Sequence, residues 1–232
     1  MIREIILDTE TTGLSPLDGH RIVEIGAIEL INHLPTGKTF HVYLDPQRDM
    51  PKEAEAVHGL SAMFLKGKPV FSSIADDFLA FIADSVLIIH NAPFDMSFID
   101  AELTSAQKPL IDMVQVLDTL QMAKRKHPMT SNSLDALCRR YGVDASKRTK
   151  HGALLDSELL AEVYLQLIGG RQTALGLAAP KKSEMPRINS ADATAIATRP
   201  RSLPGRLDAK QLQDHEKMLD SMGGKALWRS DA

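Results

Sequence analysis

The sequence predicts an α/β fold, in which a mixed β-sheet is flanked by helices and is followed by a flexible linker and a short helical tail. Strand-like segments come first as a meander and then alternate with helical segments, an order that is typical of mixed sheets with helices on their faces. Residues 5–7 and 86–89 are wholly apolar, as in strands that are buried on both faces. Beyond Leu177 the apolar periodicity gives way to prolines and small polar residues.

Apolar periodicity and turn residues predict the individual elements. In order, they are strands at 5–13, 22–32 and 39–45, a helix begun at Ser72-Ser73, a strand at 86–89, helices at 94–103, 132–141 and 153–168, and a tail helix from about 208. Pro35-Thr36-Gly37 predicts the turn between the second and third strands. Glu24 and Glu29 are expected at solvent-facing or terminal positions, and residues 112–120 are compatible with a strand or a helix.

Composition narrows the class of protein. The 232 residues are 25% charged and 44% hydrophobic, as in ordinary soluble proteins. We expect no signal peptide, and no membrane span because no apolar run approaches ~20 residues. The single cysteine, Cys138, cannot form an internal disulfide, so a reducing compartment is predicted, by default the cytoplasm.

The formal charge of −3 is unevenly distributed, with −7 on residues 1–170 and +4 on residues 171–232. Nonspecific affinity for nucleic acid comes from Lys and Arg side chains that neutralise phosphates. An acidic domain is therefore a weak independent binder of nucleic acid. If nucleic acid is the substrate, a partner has to deliver it.

Asp8 and Glu10 give the first chemical signal. Alternate residues of a strand lie on one face, so the two carboxylates point to the same side at the end of a buried strand. They repel each other and are costly to desolvate unless a cation lies between them. Oxygen ligands on a rigid strand suit Mg²⁺ or Mn²⁺ rather than zinc. A solvated strand end is the alternative interpretation.

Further polar residues follow other predicted elements. Asp95 begins the helix after strand 86–89, Asp156 begins the last domain helix, and His151 precedes that helix in a loop. Carboxylates at the ends of different elements converge at one edge of an open sheet. Two divalent cations would neutralise them and clamp a phosphodiester, and a histidine can accept a proton from an attacking water. Taken singly, Asp95 is better explained as a helix-capping acid and His151 as a surface histidine.

Three motifs together resemble the exonuclease motifs of the DEDDh family. They are Asp8-Thr-Glu10-Thr-Thr-Gly13, His90-Asn91-Ala-Pro-Phe-Asp95 and His151-Gly-Ala-Leu-Leu-Asp156, and the match covers nearly all of residues 1–168. The resemblance implies an RNase H-like fold with a five-stranded sheet and the removal of nucleotides one by one from 3′ ends. The spacing of His151 and Asp156 fits the histidine subclass.

Carried over position by position, the resemblance implies a metal site and a general base. Asp8 would bridge two divalent cations, Mg²⁺ or Mn²⁺. Glu10 and Asp156 would complete the ion on the side of the nucleophile, and Asp95 would reach the second ion mainly through water. His151 would be the general base.

Contacts with the substrate, a DNA 3′ end, are predicted for Thr11, Gly13, Leu14, His58 and Asn91. Leu14 is expected to wedge against the terminal base, with a core position as the alternative. His58 is expected to touch the substrate, with a helix-capping or surface role equally open. The basic run Lys147-Arg148-Lys150 is expected to offset the acidic domain near DNA phosphates, or to be a solvated face.

The tail resembles those of the proofreading subunits of bacterial replicative polymerases. Residues 171–178 contain Gln172-Thr-Ala-Leu175-Gly-Leu177, which is similar to the peptide that docks on the sliding clamp. Short peptides of this kind also arise by chance. A flexible linker is predicted at 179–207.

Residues 208–232 are predicted to bind the polymerase catalytic subunit. The side chains expected to be buried by that partner are Leu219, Leu227 and Trp228, because large apolar residues outside a core need burial elsewhere. A frayed amphipathic tail is the alternative.

The sequence therefore predicts a two-metal 3′→5′ exodeoxyribonuclease over residues 1–170. It would remove mispaired 3′-terminal nucleotides as the replisome-associated proofreading subunit of a bacterial polymerase and release 5′-mononucleotides. A ribonuclease of the same family and a scaffold with a vestigial site are the rivals. The sequence leaves open which cation is used and whether a small accessory subunit binds.

Overall fold

A computed structural model describes residues 2–146, 148, 150–169 and 208–222. The chain forms two units, residues 1–176 and 177–232, and the described part of the second unit consists of one helix. Within the described ranges, every helix is too short or too polar to cross a membrane.

Five strands form one mixed sheet, as predicted. They are β1 (Arg3–Thr11), β2 (Ile22–Ile31), β3 (Leu34–Tyr43), β4 (Val86–Ile89) and β5 (Val116–Asp118). In the order β3-β2-β1-β4-β5, the β1–β2 and β2–β3 pairs are antiparallel, and the β1–β4 and β4–β5 pairs are parallel. The first strand is therefore the central one.

In the first unit, helices cover both faces of the sheet. The described helices are α1 (Lys52–His58), α2 (Ala62–Leu65), α3 (Phe71–Ile82), α4 (Ala92–Ser105), α5 (Thr119–Lys126), α6 (Leu134–Tyr141), α7 (Ala153–Leu167) and α8 (Ala209–Met222). The predicted helices correspond to α3, α4, α6, α7 and α8. Residues 112–120, which the sequence left open, contain a 3₁₀ turn, β5 and the start of α5.

The turn of the β2–β3 hairpin lies earlier than predicted. Asn32 and His33 form a two-residue turn with φ of 49° and 67°, the left-handed conformation that the tightest hairpins require. Pro35-Thr36-Gly37 belongs to β3 instead. β3 is an edge strand, which accommodates a proline because one side of its backbone has no strand partner.

Glu24 and Glu29 are buried, so the expectation of solvent-facing positions was wrong. Glu29 accepts hydrogen bonds from Arg3 Nε at 2.6 Å and from the Thr36 hydroxyl at 2.8 Å. Glu24 Oε1 lies 2.7 Å from His41 Nε2. Both carboxylates are partnered by residues from neighbouring strands, a pairing that the pattern within one strand does not reveal.

The alternation along β1 decides which residues meet which helices. Ile5 and Leu7 belong to the core that includes side chains of α3 and α4, whereas Ile6 belongs to the core that includes α7. Asp8 and Glu10 share the face of Ile6, because alternate residues of a strand point to the same side. The two carboxylates are therefore directed toward α7.

Candidate active site and metal centre

The close approach of α7 to the sheet places Asp156 beside the β1 carboxylates. Asp8 is paired with Gly26 of β2, and a Cβ on Gly26 would lie 2.2 Å from the backbone of Ala153. The Ser157 hydroxyl donates to the Gly26 carbonyl at 2.8 Å. The first turn of α7, in which Asp156 is buried, is therefore fixed against the end of β1.

Asp95 reaches the same end of the sheet from α4. Asn91 precedes this helix in a left-handed conformation, with φ of 65°, and turns the chain from β4 into α4. The buried Asp95 Oδ1 accepts hydrogen bonds from the backbone N–H of Thr9 at 3.0 Å and from its hydroxyl at 2.7 Å. Both donors belong to β1, so Asp95 is bound to the strand that carries Asp8 and Glu10 and does more than cap its own helix.

The carboxyl groups of the site are crowded. Burial, followed by the negative charge of Asp156, raises the pKa of Glu10 to about 8. Burial raises the pKa of Asp95 to about 7, although hydrogen bonds from Thr9 act in the opposite direction. Burial and three neighbouring carboxylates raise the pKa of Asp8 well above its usual range. The protein concentrates acids here without supplying enough positive charge to neutralise them.

Three residues present their ligand atoms to a common space. The candidate ligand atoms of Glu10, His151 and Asp156 all lie within 4.8 Å of one another. The carboxylate oxygens of Glu10 and Asp156 suit a hard divalent cation, and the imidazole beside them suits proton transfer. A cation would also relieve the repulsion that raises the pKa values of the acids. The residues present therefore fit the divalent cations that the sequence implied.

Arg148 is a site residue whose place the sequence analysis missed, because it was treated as one of a run of surface charges. Its guanidinium donates to both oxygens of Asp156, from Nε at 2.5 Å and from Nη2 at 2.6 Å, and its side chain is 8% exposed. Nη2 also lies 2.7 Å from His151 Nδ1, and Nη1 contacts Asp135. The signal in the sequence was its position three residues before His151.

A cavity of about 540 Å³ adjoins the carboxylates. Its lining includes Glu10 and four of the five predicted substrate contacts, Thr11, Gly13, Leu14 and His58. Gly13 lies so close to His20 that a Cβ would be 2.4 Å from the imidazole ring. Leu14 is 84% exposed, so the core position that was considered for it is excluded.

His58 ends α1 beside this cavity and is buried, which excludes the surface role considered for it. Its Nδ1 accepts a hydrogen bond from the backbone N–H of Leu60 at 3.0 Å, so it does cap a turn. Its Nε2 is buried and lacks a hydrogen-bond partner in the described part of the chain. Burial lowers the pKa of His58 and so favours the neutral ring, in which Nδ1 accepts and Nε2 carries the proton that can be donated to an acceptor oxygen.

Asn91 lies elsewhere. It is exposed and lines a separate groove with Asp118 and Lys124. Its backbone N–H donates to Asp118 Oδ1 at 3.2 Å, and its contact with a substrate stays a prediction.

The predicted partner-binding residues fall mostly on the tail. Leu219 is the one buried residue in the described part of α8. The others lie outside the described residues: Gln172, Leu175, Leu177, Leu227 and Trp228. All of these contacts stay predictions.

Comparison with known proteins gives one family. The sequence matches a family model described as Exonuclease over residues 5–164. It is 49% identical over 227 residues to the DNA polymerase III subunit epsilon of Rickettsia conorii, with 94% of this chain and 95% of the relative covered. It is 40% identical over 238 aligned positions to the protein of the same name from Escherichia coli K12, with 98% of each chain covered.

A solved structure gives the fold. The chain is similar to the nuclease domain of 3′hExo, a DEDDh family member, bound to rAMP, with a TM-score of 0.63. The identity is 17%, and the likeness covers 72% of this chain and 91% of that one. The predicted RNase H-like fold is thereby confirmed.

Proposed function

This chain belongs to the exonuclease family, and from that premise we propose that it removes mispaired nucleotides from DNA 3′ ends with two divalent cations. It is a 3′→5′ DNA exonuclease, and the relatives that it matches over almost their whole length are named DNA polymerase III subunit epsilon. In each cycle, water adds across the terminal phosphodiester, so that a 5′-mononucleotide leaves and a new 3′ end remains.

The observation that carries the proposal is the convergence of four acids and a histidine at one end of the sheet. They come from β1, from the helix after β4, and from the loop and first turn of α7: Asp8, Glu10, Asp95, His151 and Asp156. A structural role would pair each acid with a cationic side chain. Here the raised pKa values of Asp8, Glu10 and Asp95 show that such pairing is incomplete.

The exonuclease family depends on divalent cations, and the chain offers ligands for them. Glu10 and Asp156, whose ligand atoms lie close together, would hold the cations together with Asp8 and Asp95, the other two acids of the resemblance. Mg²⁺ or Mn²⁺ would supply positive charge that stabilises the developing charge on the phosphate oxygens.

His151 is the candidate general base. Its side chain is 47% exposed, so it can meet a water molecule, and its Nδ1 lies 3.3 Å from Asp156 Oδ2. A carboxylate in that position orients an imidazole, as in other acid–base pairs. His151 would accept one proton of the attacking water, and the leaving 3′ oxygen would take up a proton from His151 or from solvent.

The cavity beside the carboxylates is the candidate site for the terminal nucleotide. Its walls combine apolar surface from Leu14, Val57 and Phe94 with polar groups from Thr11 and His58. Apolar walls with a few fixed polar groups are typical of small-ligand sites. Leu14 extends from the β1–β2 loop, where it can contact the terminal base.

The acidic charge of residues 1–170 favours delivery of DNA by a partner. We propose an exonuclease domain at 1–170, a clamp-binding peptide at 171–178, a linker at 179–207 and a polymerase-binding segment at 208–232. A tether of this length would keep the domain near the 3′ end at ~mM local concentration. The cytoplasm, where the replisome works, is the proposed location.

The test is hydrolysis of a labelled single-stranded DNA by the full chain, with Mg²⁺ or EDTA, beside an RNA of the same sequence. Stepwise shortening of the DNA from its 3′ end, lost in EDTA and in Asp8→Ala, is the expected result. Preference for the RNA would make the chain a ribonuclease of the same family. Inactivity on both substrates by folded protein would leave a scaffold.

The tail is tested separately by deleting residues 178–232. Retained hydrolysis with lost binding to the polymerase catalytic subunit is expected. Lost hydrolysis in a folded fragment would refute the proposed division into domains.

A further inference from the structure

We propose that Arg148 is a positioning residue that competes with a divalent cation for the carboxylate of Asp156, with Asp135 as its alternative ionic partner. The inference rests on the proposed function, because it concerns the ligands of the same metal centre.

Arg148 and a cation compete for the same carboxylate. The guanidinium donates to both oxygens of Asp156, at 2.5 Å and 2.6 Å, and the two side chains are only 8% and 4% exposed. Two positive charges close together in a poorly hydrated site repel each other strongly. A cation that binds Asp156 is therefore expected to compete with the guanidinium for this carboxylate.

Asp135 offers Arg148 an alternative ionic partner. Nη1 of Arg148 already contacts Asp135, which lies on α6 and is 51% exposed. Asp135 is outside the set of acids that face the cation. Arg148 can therefore leave Asp156 without losing every ionic partner, and only a small movement of its side chain is required.

The first experiment measures binding of Mn²⁺ alone to the full chain by calorimetry, without DNA, at one fixed pH. Arg148→Met is expected to bind Mn²⁺ about tenfold more tightly than wild type, which corresponds to about 1.4 kcal/mol, because the competitor is gone. Arg139→Met is the matched control, since Arg139 is an exposed arginine of α6. It removes the same charge and should change the affinity far less.

Asp135→Asn should have the opposite effect. Without the Asp135 carboxylate as an alternative partner, the guanidinium of Arg148 remains bound to Asp156, so Mn²⁺ should bind several-fold more weakly. Glu162→Gln, at an exposed position of α7, controls for the loss of one negative charge. Opposite shifts in Arg148→Met and Asp135→Asn separate competition from a general effect of charge.

Thermal unfolding gives a second readout. In EDTA, Arg148→Met should unfold at a lower temperature than wild type, because Asp156 loses its partner. At saturating Mn²⁺ the two proteins should unfold at similar temperatures. A lysine at position 148 cannot contact both oxygens of Asp156 and His151 at once. Arg148→Lys should therefore show a Mn²⁺ affinity and an unfolding temperature between those of wild type and Arg148→Met. This variant also provides a test if Arg148→Met folds poorly.

The outcomes are distinguishable. If wild type binds no Mn²⁺, the proposed metal centre fails. If wild type binds Mn²⁺ but Arg148→Met binds it equally or more weakly, Arg148 supports the cation-bound site and the competition proposed here is refuted.

Discussion

Buried carboxylates occur in two regions of this protein with opposite electrostatic consequences. In the sheet and on α4, the chain provides a cationic partner: Arg3 for Glu29 and Arg21 for Glu102, each at 2.6 Å. The hydrogen bond from Arg3 lowers the pKa of Glu29. At the end of β1, burial and neighbouring acids raise the pKa of Glu10 to about 8.

The comparison shows which buried acids are neutralised by the protein's own arginines and which need a cation from solution. A buried acid with its own arginine serves the fold and requires nothing from solution. The acids at the end of β1 share Arg148 among several negative charges, so the remaining charge has to arrive as a cation. Poor electrostatic pairing, in contrast to the arginine-paired Glu29 and Glu102, is thus the physical mark of the candidate site.

The strongest test of this contrast is to replace a glutamate by glutamine in each of the two regions. Glu10→Gln should reduce hydrolysis by about 10³-fold or more, because a cation ligand is lost, while stability in EDTA at pH 8 stays the same or rises. Glu29→Gln should leave hydrolysis almost unchanged and lower the free energy of unfolding by about 2 kcal/mol. Steady-state kinetics and denaturant unfolding measure the two effects. Equal effects of both variants on activity would remove the distinction between the regions.

Breaking the bond between α4 and the β1–β2 loop is the next largest change. Arg21 donates to both oxygens of Glu102, at 2.6 Å each. Arg21→Met would leave Glu102 buried and unpaired, at a cost of about 3 kcal/mol in the free energy of unfolding. Urea denaturation measures it, and Arg21→Met with Glu102→Leu should recover much of the loss. A loss that the double variant leaves unchanged would show that the pair is not its source.

The pH dependence of stability should differ between the protein in EDTA and the protein with saturating cation. Unfolded carboxyls titrate near ~4, whereas Asp95 and Glu10 titrate at about 7 and about 8 in the fold. Between these values the folded protein keeps protons that the unfolded chain has lost. In EDTA the unfolding temperature should therefore fall by several degrees from pH 5 to pH 8.

Saturating Mg²⁺ should flatten or reverse that fall, because cations bind the deprotonated acids. Glu10→Gln in EDTA should show a smaller fall than wild type. An unfolding temperature of the cation-free protein that rises over this range would contradict the assigned pKa directions.

Thr9→Val tests how much a hydrogen bond from β1 contributes to cation binding by Asp95. The Thr9 hydroxyl donates to Asp95 at 2.7 Å, so Asp95 is the site acid that a neighbouring strand helps to stabilise in its charged form. Valine keeps the shape of threonine but removes this donor. The expected result is about tenfold weaker Mn²⁺ binding, as for other residues that orient a ligand, with little change in unfolding temperature at saturating Mn²⁺.

Local pattern was enough for much of the fold and for the acids of the site. The apolar runs at 5–7 and 86–89 predicted the central strands, and alternation predicted that Asp8 and Glu10 share a face. These inferences succeed because strand and helix periodicity are properties of consecutive residues. The grouping of Asp95, His151 and Asp156 followed from their places at the ends of elements.

Tertiary structure decided what depends on residues far apart in the chain. The left-handed pair at Asn32 and His33 moved the hairpin turn, and Arg3 and His41 made the burial of Glu29 and Glu24 possible. Arg148 looked like one charge of a solvated run until α7 placed Asp156 against both its donors. The free-energy cost of burying a charged side chain depends on the groups that surround it in space, and spacing along the sequence does not specify those groups.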